Sequence, residues 1–361
     1  MSASLRQDKD SKKIKAVALF SGGLDSMISM HLLQKQGIEV YALNFNIGFG
    51  SNKDKSEYFK NASSQVGAKL IQVDIKKQFF DEVLFKPKYG YGRFFNPCID
   101  CHANMFRFAF YKMVELGASF AISGEVLGQR PKSQRKDALN QVKKLVSELS
   151  SEPIFDSILS RDGSDPSKPK SLDELILRPM SAKLLEPSFP EKAGWVDRER
   201  LLDVSGRGRS LQLGYVTQNN WKYHEKPGGG CLLTDLGVST KLKDLSKHRK
   251  VVFDDLSMLK VGRYLVLPEG ARCVIARNEE ESIKLESPHS LMEHISLGDV
   301  VGPVALVEKD ASKADKKLAC QIVLGYSKAS KDKLYDVKLG QEVYEVSPLA
   351  KEEAHKYLLF T

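Results

Sequence analysis

Ser21-Gly22-Gly23-Leu24-Asp25-Ser26 decides the fold of this chain because of the residues on either side of it. The apolar run 16–20 precedes it and has the composition of a buried parallel strand. Residues 27–33 follow it, with apolar side chains at helical spacing, in a helix that we expect to end near residue 36. The six residues are therefore predicted to join a strand to a helix N-terminus through a glycine-rich loop.

The loop has the composition of an anion site. Gly22 and Gly23 let the backbone approach a ligand closely, and the helix start adds unpaired N–H groups and the positive end of the helix dipole. Ser21 and Ser26 offer hydroxyl groups to the same anion. A bare carboxylate repels phosphate, so the presence of Asp25 is explained if it holds Mg²⁺ or water against a nucleotide.

The loop lacks the Gly-Lys-Ser/Thr sequence of a Walker motif. It resembles the pyrophosphate loop (PP-loop) of the N-type ATP pyrophosphatases, which split ATP between the α and β phosphates. Every fixed position of the family pattern Ser-Gly-Gly-x-Asp-Ser is matched. The resemblance implies an adenine nucleotide alpha hydrolase-like fold, with an ATP site at these residues. The alternative is an ordinary Gly-Gly turn between a strand and a helix.

The totals describe an ordinary globular protein of 361 residues, long enough for two or three domains. Residues 1–15 are polar and predict a flexible tail. No apolar run reaches membrane-spanning length, so we expect a soluble, cytoplasmic protein with no membrane partner. Net charge is +9, of which residues 241–361 contribute +1, and the basic first two thirds suit RNA as a partner. Solubility alone is the alternative explanation.

Strand and helix patterns alternate over the first half of the chain and predict βαβ units with a parallel sheet. The predicted strands are residues 16–20, 39–45, 68–74, 119–125 and 175–179. The predicted later helices are residues 56–67, 97–116 and 137–149, with another helix starting in 197–202. Ligands of such sheets bind at the C-terminal ends of the strands, where the Ser21–Ser26 loop would lie.

Beyond residue 235 the character changes to a smaller, strand-rich α+β domain. Residues 263–276 predict a hairpin, and residues 278–285 predict a helix capped by Asn278. Residues 300–307, 319–325 and two runs within 335–346 predict further strands. We therefore divide the chain into residues 16–235, which carry the chemistry, and residues 236–361, which hold no catalytic cluster.

Three of the five cysteines have the placement of a reactive set. Cys98 and Cys101 lie one helical turn apart at a predicted helix start, where the dipole lowers a thiol pKa, and Cys231 follows three glycines. The pair could be a redox dithiol, a persulfide carrier, or ligands of a metal or cluster. The trio is one ligand short of a zinc or iron–sulfur site, and His102 could complete a zinc site. The remaining two, Cys273 and Cys320, lie in apolar strand patterns and are predicted to be core residues.

With the PP-loop, Asn-Pro-Cys-x-x-Cys and the distal Gly-Gly-Cys resemble the tRNA thiouridylases, in which ATP adenylates a base carbonyl and sulfur displaces AMP. The resemblance implies that Cys101 is a catalytic cysteine. Cys98 stands where the 2-thiouridylase branch commonly has Asp, a departure toward the branch in which three cysteines bind a [4Fe-4S] cluster. Cys98, Cys101 and Cys231 are then its candidate ligands.

Residues 16–235 also resemble the catalytic domain of the 4-thiouridine synthases, through Gly124-Glu125, Gln129-Arg130-Pro131, Arg178-Pro179 and residues 231–235. By position at a strand end, Gly124 and Glu125 are predicted to lie near the adenosine. Arg130, Lys132 and Arg135 are candidates to grip nucleotide or tRNA phosphates, and a solvated basic loop is the alternative.

Those synthases usually carry an N-terminal RNA-binding region, whereas this catalytic loop begins near residue 20, so we expect RNA to be held elsewhere. The C-terminal domain resembles the predicted RNA-binding module of fibronectin-binding-like ribosome-associated proteins, best at residues 277–281. Its near-neutral charge makes it a poor electrostatic anchor. Packing on the catalytic domain or on a protein partner is the alternative.

The sequence thus predicts ATP- and Mg²⁺-dependent thiolation of a tRNA uridine, with release of AMP and pyrophosphate. Asp25, Cys98, Cys101 and Cys231 are the predicted catalytic residues. Sulfur would come from a cysteine desulfurase or from sulfide, carried on the cluster or as a persulfide on Cys101 or Cys231. The alternatives are another AMP-forming ligase or amidase of this superfamily, or an RNA-binding protein regulated by nucleotide. A homodimer is compatible with the sequence, which does not decide the oligomeric state.

Overall fold

A computed structural model describes residues 13–51, 53–225 and 230–360. These residues form two compact units that meet in sequence between Cys231 and Leu232. Residues 1–12 of the predicted tail lie outside the described residues, and Lys15 already belongs to the first strand. Among the described residues, no helix has the length and apolar character needed to cross a membrane.

The N-terminal unit is built on a five-stranded parallel sheet, as the alternating pattern predicts. Its strands are β1 (Lys15–Leu19), β2 (Glu39–Asn46), β3 (Lys69–Asp74), β4 (Phe120–Ser123) and β5 (Ile176–Leu177). The strand order is β3-β2-β1-β4-β5, and every pair is parallel. β1 is central and its residues 16–18 are buried, because helices cover both faces of such a sheet.

Seven helices accompany this sheet in the described part of the unit. They are α1 (Leu24–Gln34), α2 (Ser56–Ser64), α3 (Lys76–Gln78), α4 (Cys98–Leu116), α5 (Lys136–Glu148), α6 (Phe189–Lys192) and α7 (Ser210–Asn219). A π-helical turn, Phe79–Leu84, continues α3. The prediction that a helix starts within residues 197–202 was wrong. Only a 3₁₀ turn forms at Arg198–Arg200, because the backbone is already extended at Leu201.

The C-terminal unit is a six-stranded antiparallel sheet with helices. Its strands are β6 (Arg263–Val266), β7 (Arg272–Ile275), β8 (Met292–Ser296), β9 (Ala305–Glu308), β10 (Tyr335–Leu339) and β11 (Glu342–Val346), in the order β11-β10-β8-β9-β7-β6. Its helices are α8 (Leu236–His248), α9 (Leu256–Lys260), α10 (Glu279–Leu285), α11 (Lys313–Gly325) and α12 (Lys351–Ala354). The predicted hairpin is confirmed as β6–β7, and Asn278 caps α10 by accepting a hydrogen bond from the Glu281 N–H.

Two predictions in this unit were wrong in detail. Residues 319–325, predicted as a strand, are the mostly buried second half of α11, which Ser312 caps. Periodicity alone does not separate helix from strand in so short an apolar run. The strand predicted over 300–307 begins only at Ala305, and β8 was missed. Cys320 therefore lies on a helix, and both it and Cys273 are fully buried, as expected of core cysteines.

A backbone contact fixes the strand-end loop of β4 against the start of α1. Gly124 follows β4, and a Cβ atom built on it would lie 2.4 Å from the Ser26 nitrogen and 2.6 Å from the Ser26 Cα. Real Cβ atoms do not approach backbone atoms this closely, so glycine is required at this position. The N-terminus of α1 is thereby held at the C-terminal ends of β1 and β4.

A buried ion network joins the same strand end to α4. The Glu125 carboxylate, 4% exposed, accepts hydrogen bonds from Arg178 Nε at 2.8 Å and from Ser123 Oγ at 3.0 Å. His102 Nδ1 lies 2.7 Å from its other oxygen. Burial opposes ionisation of Glu125, but the Arg178 guanidinium and His102 outweigh it and lower the pKa of Glu125 to about 2. Arg178, itself 3% exposed, is thus tied to the start of α4 through one carboxylate.

We predict that Gly124→Ala lowers the free energy of unfolding by about 1–3 kcal/mol, the usual range for overpacking. The added methyl group would displace the backbone at Ser26. Denaturant titration of the purified protein measures the loss. Gly214→Ala is the matched control, because the added atom meets nothing within 4 Å inside α7 and alanine favours helix. Equal stability of the two variants would contradict the account.

The network also predicts an acid-sensitive contribution to stability. The pKa of Glu125 falls on folding from 4.5 to about 2, so its contribution is present above pH 4.5 and is lost as pH falls toward 2. Glu125→Gln should cost about 3–5 kcal/mol near neutral pH, because it leaves the Arg178 charge buried. That deficit should narrow in unfolding titrations below pH 4.5. Glu186→Gln, at an exposed position, should show little deficit at any pH, and a constant deficit for Glu125→Gln would refute the assignment.

Candidate functional site

The Ser21–Ser26 loop connects β1 to α1, where the sequence places it. Gly22 has a φ of +83°, in the left-handed region, and a Cβ atom on it would lie 2.7 Å from the Phe59 ring. Tyr58 donates a hydrogen bond from its hydroxyl to the Gly22 carbonyl at 2.8 Å. The aromatic pair on α2 therefore covers the loop and holds a backbone conformation that favours glycine.

The two serines of the loop bond to its own backbone. The Ser26 hydroxyl donates to the Gly23 carbonyl at 2.6 Å, and the Gly23 N–H donates to Ser21 Oγ at 3.4 Å. Gly23 is the residue before α1 and has extended backbone. The first N–H groups of the helix have no partner within the helix and carry its positive end. The loop therefore presents backbone donors to an anion.

Asp25, in the first turn of α1, is surrounded by donors from remote parts of the chain. Arg209 Nη1 lies 3.1 Å from Oδ1 and 3.0 Å from Oδ2. Gln212 Nε2 donates to Oδ1 at 3.0 Å, and Gln129 Nε2 donates to Oδ2 at 3.1 Å. Both glutamines are buried. These three partners were not predicted from the sequence, although the basic, glycine-rich stretch 206–210 was an available signal for Arg209.

This arrangement does not fit Asp25 as a direct Mg²⁺ ligand. A carboxylate has about four lone-pair positions, and these four contacts use that number. The expected metal role of Asp25 would require Arg209 or a glutamine to leave.

The three predicted thiols come together in the N-terminal unit. Cys98 is the first residue of α4, Cys101 is buried one turn later, and Cys231 is half-buried. Burial raises the pKa of the Cys101 thiol well above its usual range, and the neighbouring Cys231 and Cys98 raise it further. Asn96 Nδ2 donates a hydrogen bond to the Cys98 sulfur at 3.0 Å. The remote cysteine thus lies close enough to interact electrostatically with the pair.

The thiols as placed do not form a metal site. Across the described ranges, no group of three or more His, Cys, Asp or Glu side chains could hold a metal ion. His102, the expected fourth zinc ligand, directs Nδ1 to Glu125. Residues 226–229, which precede Gly230 and Cys231, lie outside the described residues. The three thiols therefore interact electrostatically, but as placed they do not fit a zinc or [4Fe-4S] ligand set.

Asp100, between the paired cysteines, fastens a neighbouring loop. Its carboxylate accepts hydrogen bonds from the backbone N–H groups of Lys88 at 2.6 Å and Tyr89 at 3.1 Å. Lys132 Nζ donates to the Tyr89 carbonyl at 3.1 Å. The ammonium group of Lys132 thus helps to hold the loop at Tyr89 beside α4.

The other predicted phosphate-binding residues lie on the surface. Arg135 pairs with Asp137 at 3.0 Å, and Arg130 is exposed. Gly124 contacts the loop backbone at Asp25 and Ser26, whereas the Glu125 carboxylate is directed to Arg178 and His102. Contact of these residues with RNA or adenosine stays a prediction.

Two family models match separate parts of the chain. Residues 14–144 match the model of the tRNA methyl transferase HUP domain, and residues 262–358 match that of the NFACT protein RNA binding domain. The second match confirms the predicted resemblance of the C-terminal domain.

Similar curated proteins include two tRNA-specific 2-thiouridylases MnmA 2. That of Clostridium botulinum is 30% identical over 35% of this chain and 38% of its own. That of a Thermoanaerobacter species is 26% identical over 56% of this chain and 55% of its own. This chain thus covers about half or less of the length of these relatives. A 7-cyano-7-deazaguanine synthase of a Nitratiruptor species is 33% identical over 19% of this chain and 31% of its own.

Among solved structures, a 4-thiouridine synthetase–RNA complex with bound ATP covers 57% of this chain and 50% of its own, at 20% identity and a TM-score of 0.34. That score is too low to support an argument from shape. Residues 14–144 are thus similar to the tRNA methyl transferase HUP domain, and residues 262–358 are similar to the NFACT RNA-binding domain. The curated proteins to which the chain is similar include tRNA-specific 2-thiouridylases.

Proposed function

We propose that this protein is an ATP-dependent enzyme that thiolates a uridine of tRNA and releases AMP and pyrophosphate. One juxtaposition carries the proposal. Gly124 contacts the start of the PP-loop helix, and the next residue, Glu125, holds His102, which directly follows Cys101. The anion-binding loop and the thiols therefore flank the same strand end, where a substrate could meet both.

The first step is adenylation of the base. The uracil carbonyl oxygen attacks the α-phosphorus of ATP, and pyrophosphate leaves. The proposed phosphate cradle consists of Ser21, Gly22, Gly23, Asp25 and Ser26, with Gly124 and Glu125 at its edge. The N–H groups at the start of α1 favour the charge that develops on the phosphate oxygens, and the chemistry needs mainly positioning and charge neutralisation.

The second step replaces AMP by sulfur at the activated carbon. With hydrosulfide as donor, sulfur forms the new bond, AMP leaves with the former carbonyl oxygen, and the sulfur loses its proton. With a persulfide on Cys101 or Cys231, from a cysteine desulfurase, a mixed disulfide forms first. A second thiol of the trio then releases the thiouridine and closes a protein disulfide, which an external dithiol must reduce. Cys98, one helical turn before Cys101 on α4, is the proposed second thiol.

Transfer RNA is the proposed partner of both units. The C-terminal domain would hold it as an NFACT-type RNA-binding domain, and Arg130, Lys132 and Arg135 would contact its phosphates in the N-terminal unit. Mg²⁺ would accompany ATP, held by the phosphates. We assign no step to a [4Fe-4S] cluster, since the thiols as placed do not form its ligand set.

A second candidate is another AMP-forming reaction of this superfamily, such as that of a ligase or amidase. This candidate is favoured by the similarity, over 70 residues, to a 7-cyano-7-deazaguanine synthase, which is named for a product other than a thiouridine. This reaction would not need three thiols. The cysteines therefore discriminate between the two candidates.

We predict that cells lacking an intact gene lose one tRNA thionucleoside, detected by mass spectrometry of digested tRNA. Complementation with the wild-type gene should restore it, whereas Cys101→Ser and Cys231→Ser should not. Cys273→Ser, in the C-terminal core, is the control for loss of a buried cysteine. An unchanged thionucleoside profile in the deletion strain, with no redundant enzyme present, would sink the thiolation proposal. Full rescue by all three variants would favour the ligase candidate.

We further predict that Asp25→Ala lowers the rate of AMP formation about a hundredfold or more, because it removes the contacts at the start of α1. Thin-layer chromatography of α-labelled ATP incubated with tRNA and sulfide gives the rate. Asp203→Ala, an exposed carboxylate of the same unit, should retain the wild-type rate. If Asp25→Ala still forms AMP at that rate, the loop is not the nucleotide site.

A further inference from the structure

Arg209 has no role in the reaction steps proposed above. It is the residue before α7, and its guanidinium reaches the carboxylate of Asp25 in the first turn of α1. One ion pair therefore joins the N-termini of α1 and α7. Both helix ends carry unpaired N–H groups and partial positive charge.

The segment that leads to Arg209 is anchored at Val204 and Gly206. The Val204 N–H donates to the Met180 carbonyl at 2.8 Å, and the Gly206 N–H donates to the Leu127 carbonyl at 2.7 Å. The Ser181 hydroxyl links the segments at Val204 and Leu127. It donates to the Val204 carbonyl at 2.6 Å and accepts from the Leu127 N–H at 2.9 Å. The backbone is therefore fixed three residues before Arg209, and α7 begins directly after it.

Two buried amides hold the Asp25 carboxylate in register with Arg209. Gln212, 1% exposed, comes from the first turn of α7, and Gln129, 5% exposed, comes from the loop beside Gly206. Buried polar groups are retained where their hydrogen bonds are made, so both amides restrict the carboxylate to one orientation. The orientation of the Asp25 carboxylate in turn determines that it contacts Nη1 of the Arg209 guanidinium.

The guanidinium has donors left over. Only Nη1 of Arg209 contacts Asp25, and within the described parts of the chain Nε and Nη2 have no hydrogen-bond partner. The side chain is 22% exposed, so these donors are not sealed in the core. A guanidinium fork matches two oxygens of a phosphate group. Asp25 alone would repel phosphate at the helix end, and pairing with Arg209 removes that net charge.

We propose that Arg209 is a phosphate-binding residue of the ATP site, oriented by Asp25, Gln129 and Gln212. The inference rests on the proposed function, which supplies ATP as the ligand. Asp25 is then a positioning residue that acts through Arg209. The four hydrogen bonds that keep Asp25 from direct metal ligation are what this role requires.

The test is equilibrium binding of ATP and of adenosine to the full chain, with Mg²⁺ and with EDTA. Arg209→Gln should weaken ATP binding about tenfold or more under both conditions, since it removes charge-assisted hydrogen bonds to phosphate. Adenosine, which lacks phosphate, should bind the variant as it binds wild type. Arg209→Lys should recover part of the ATP affinity through its charge. Arg207→Gln, at an exposed arginine two residues earlier, is the matched control and should bind ATP as wild type does.

Asp25→Asn and the double variant test the coupling between the two residues. If Asp25 acts through Arg209, Arg209→Gln should cost far less ATP affinity in the Asp25→Asn background than in wild type. The Mg²⁺ concentration that gives half-maximal ATP binding should be the same for wild type and Asp25→Asn. Additive losses, or a Mg²⁺ requirement raised by Asp25→Asn alone, would overturn the inference in favour of a metal ligand.

The remaining outcomes separate this inference from the proposed function. If wild type binds ATP and Arg209→Gln binds it equally well, Arg209 does not bind phosphate, and the proposed ATP site is unaffected. Equal losses of ATP and adenosine binding in Arg209→Gln would indicate a structural role and would also reject it. A wild-type chain that binds no ATP with or without Mg²⁺ would reject the proposed function and this inference together.

Discussion

The close approach of Gly124 to the backbone of Asp25 and Ser26 is the constraint on which the rest of the N-terminal unit depends. It sets the start of α1 against the end of β4, with no room for a side chain between them. The residue after this contact, Glu125, reaches α4, and the loop beyond it supplies Gln129 to Asp25. A single strand end therefore positions both the Ser21–Ser26 loop and α4, which carries Cys98 and Cys101.

Two carboxylates at this strand end are each matched by an arginine, and the pairs differ in exposure. Glu125 and Arg178 are almost fully buried, and their pairing keeps Glu125 ionised against the cost of burial. Asp25 and Arg209 are each about one-fifth exposed, and the guanidinium keeps donors for a ligand. The buried pair suits a fixed support, whereas the more open pair suits a site that exchanges partners with an anion.

Much of this architecture was predictable because its signals are local. The Ser21–Ser26 motif, the parallel strands, the hairpin β6–β7 and the Asn278 cap all depend on neighbouring residues. The partners of Asp25 were not predictable, since Gln129 and Gln212 lie 104 and 187 residues away in sequence. The second half of α11 was mistaken for a strand because its short run of mostly buried, apolar residues does not by itself separate helical from strand periodicity. The meeting of Cys231 with Cys98 and Cys101 was expected from family resemblance, and spacing alone would not have predicted it.

The central claim is that ATP activates a base carbonyl oxygen beside the thiols, and an oxygen-labelling experiment tests it most directly. A tRNA transcript made with UTP carrying ¹⁸O at both uracil carbonyls would be incubated with the protein, ATP and sulfide. The account predicts AMP that carries one ¹⁸O atom in its phosphate for each sulfur incorporated. Unlabelled AMP, or hydrolysis to ADP, would contradict adenylation of the base.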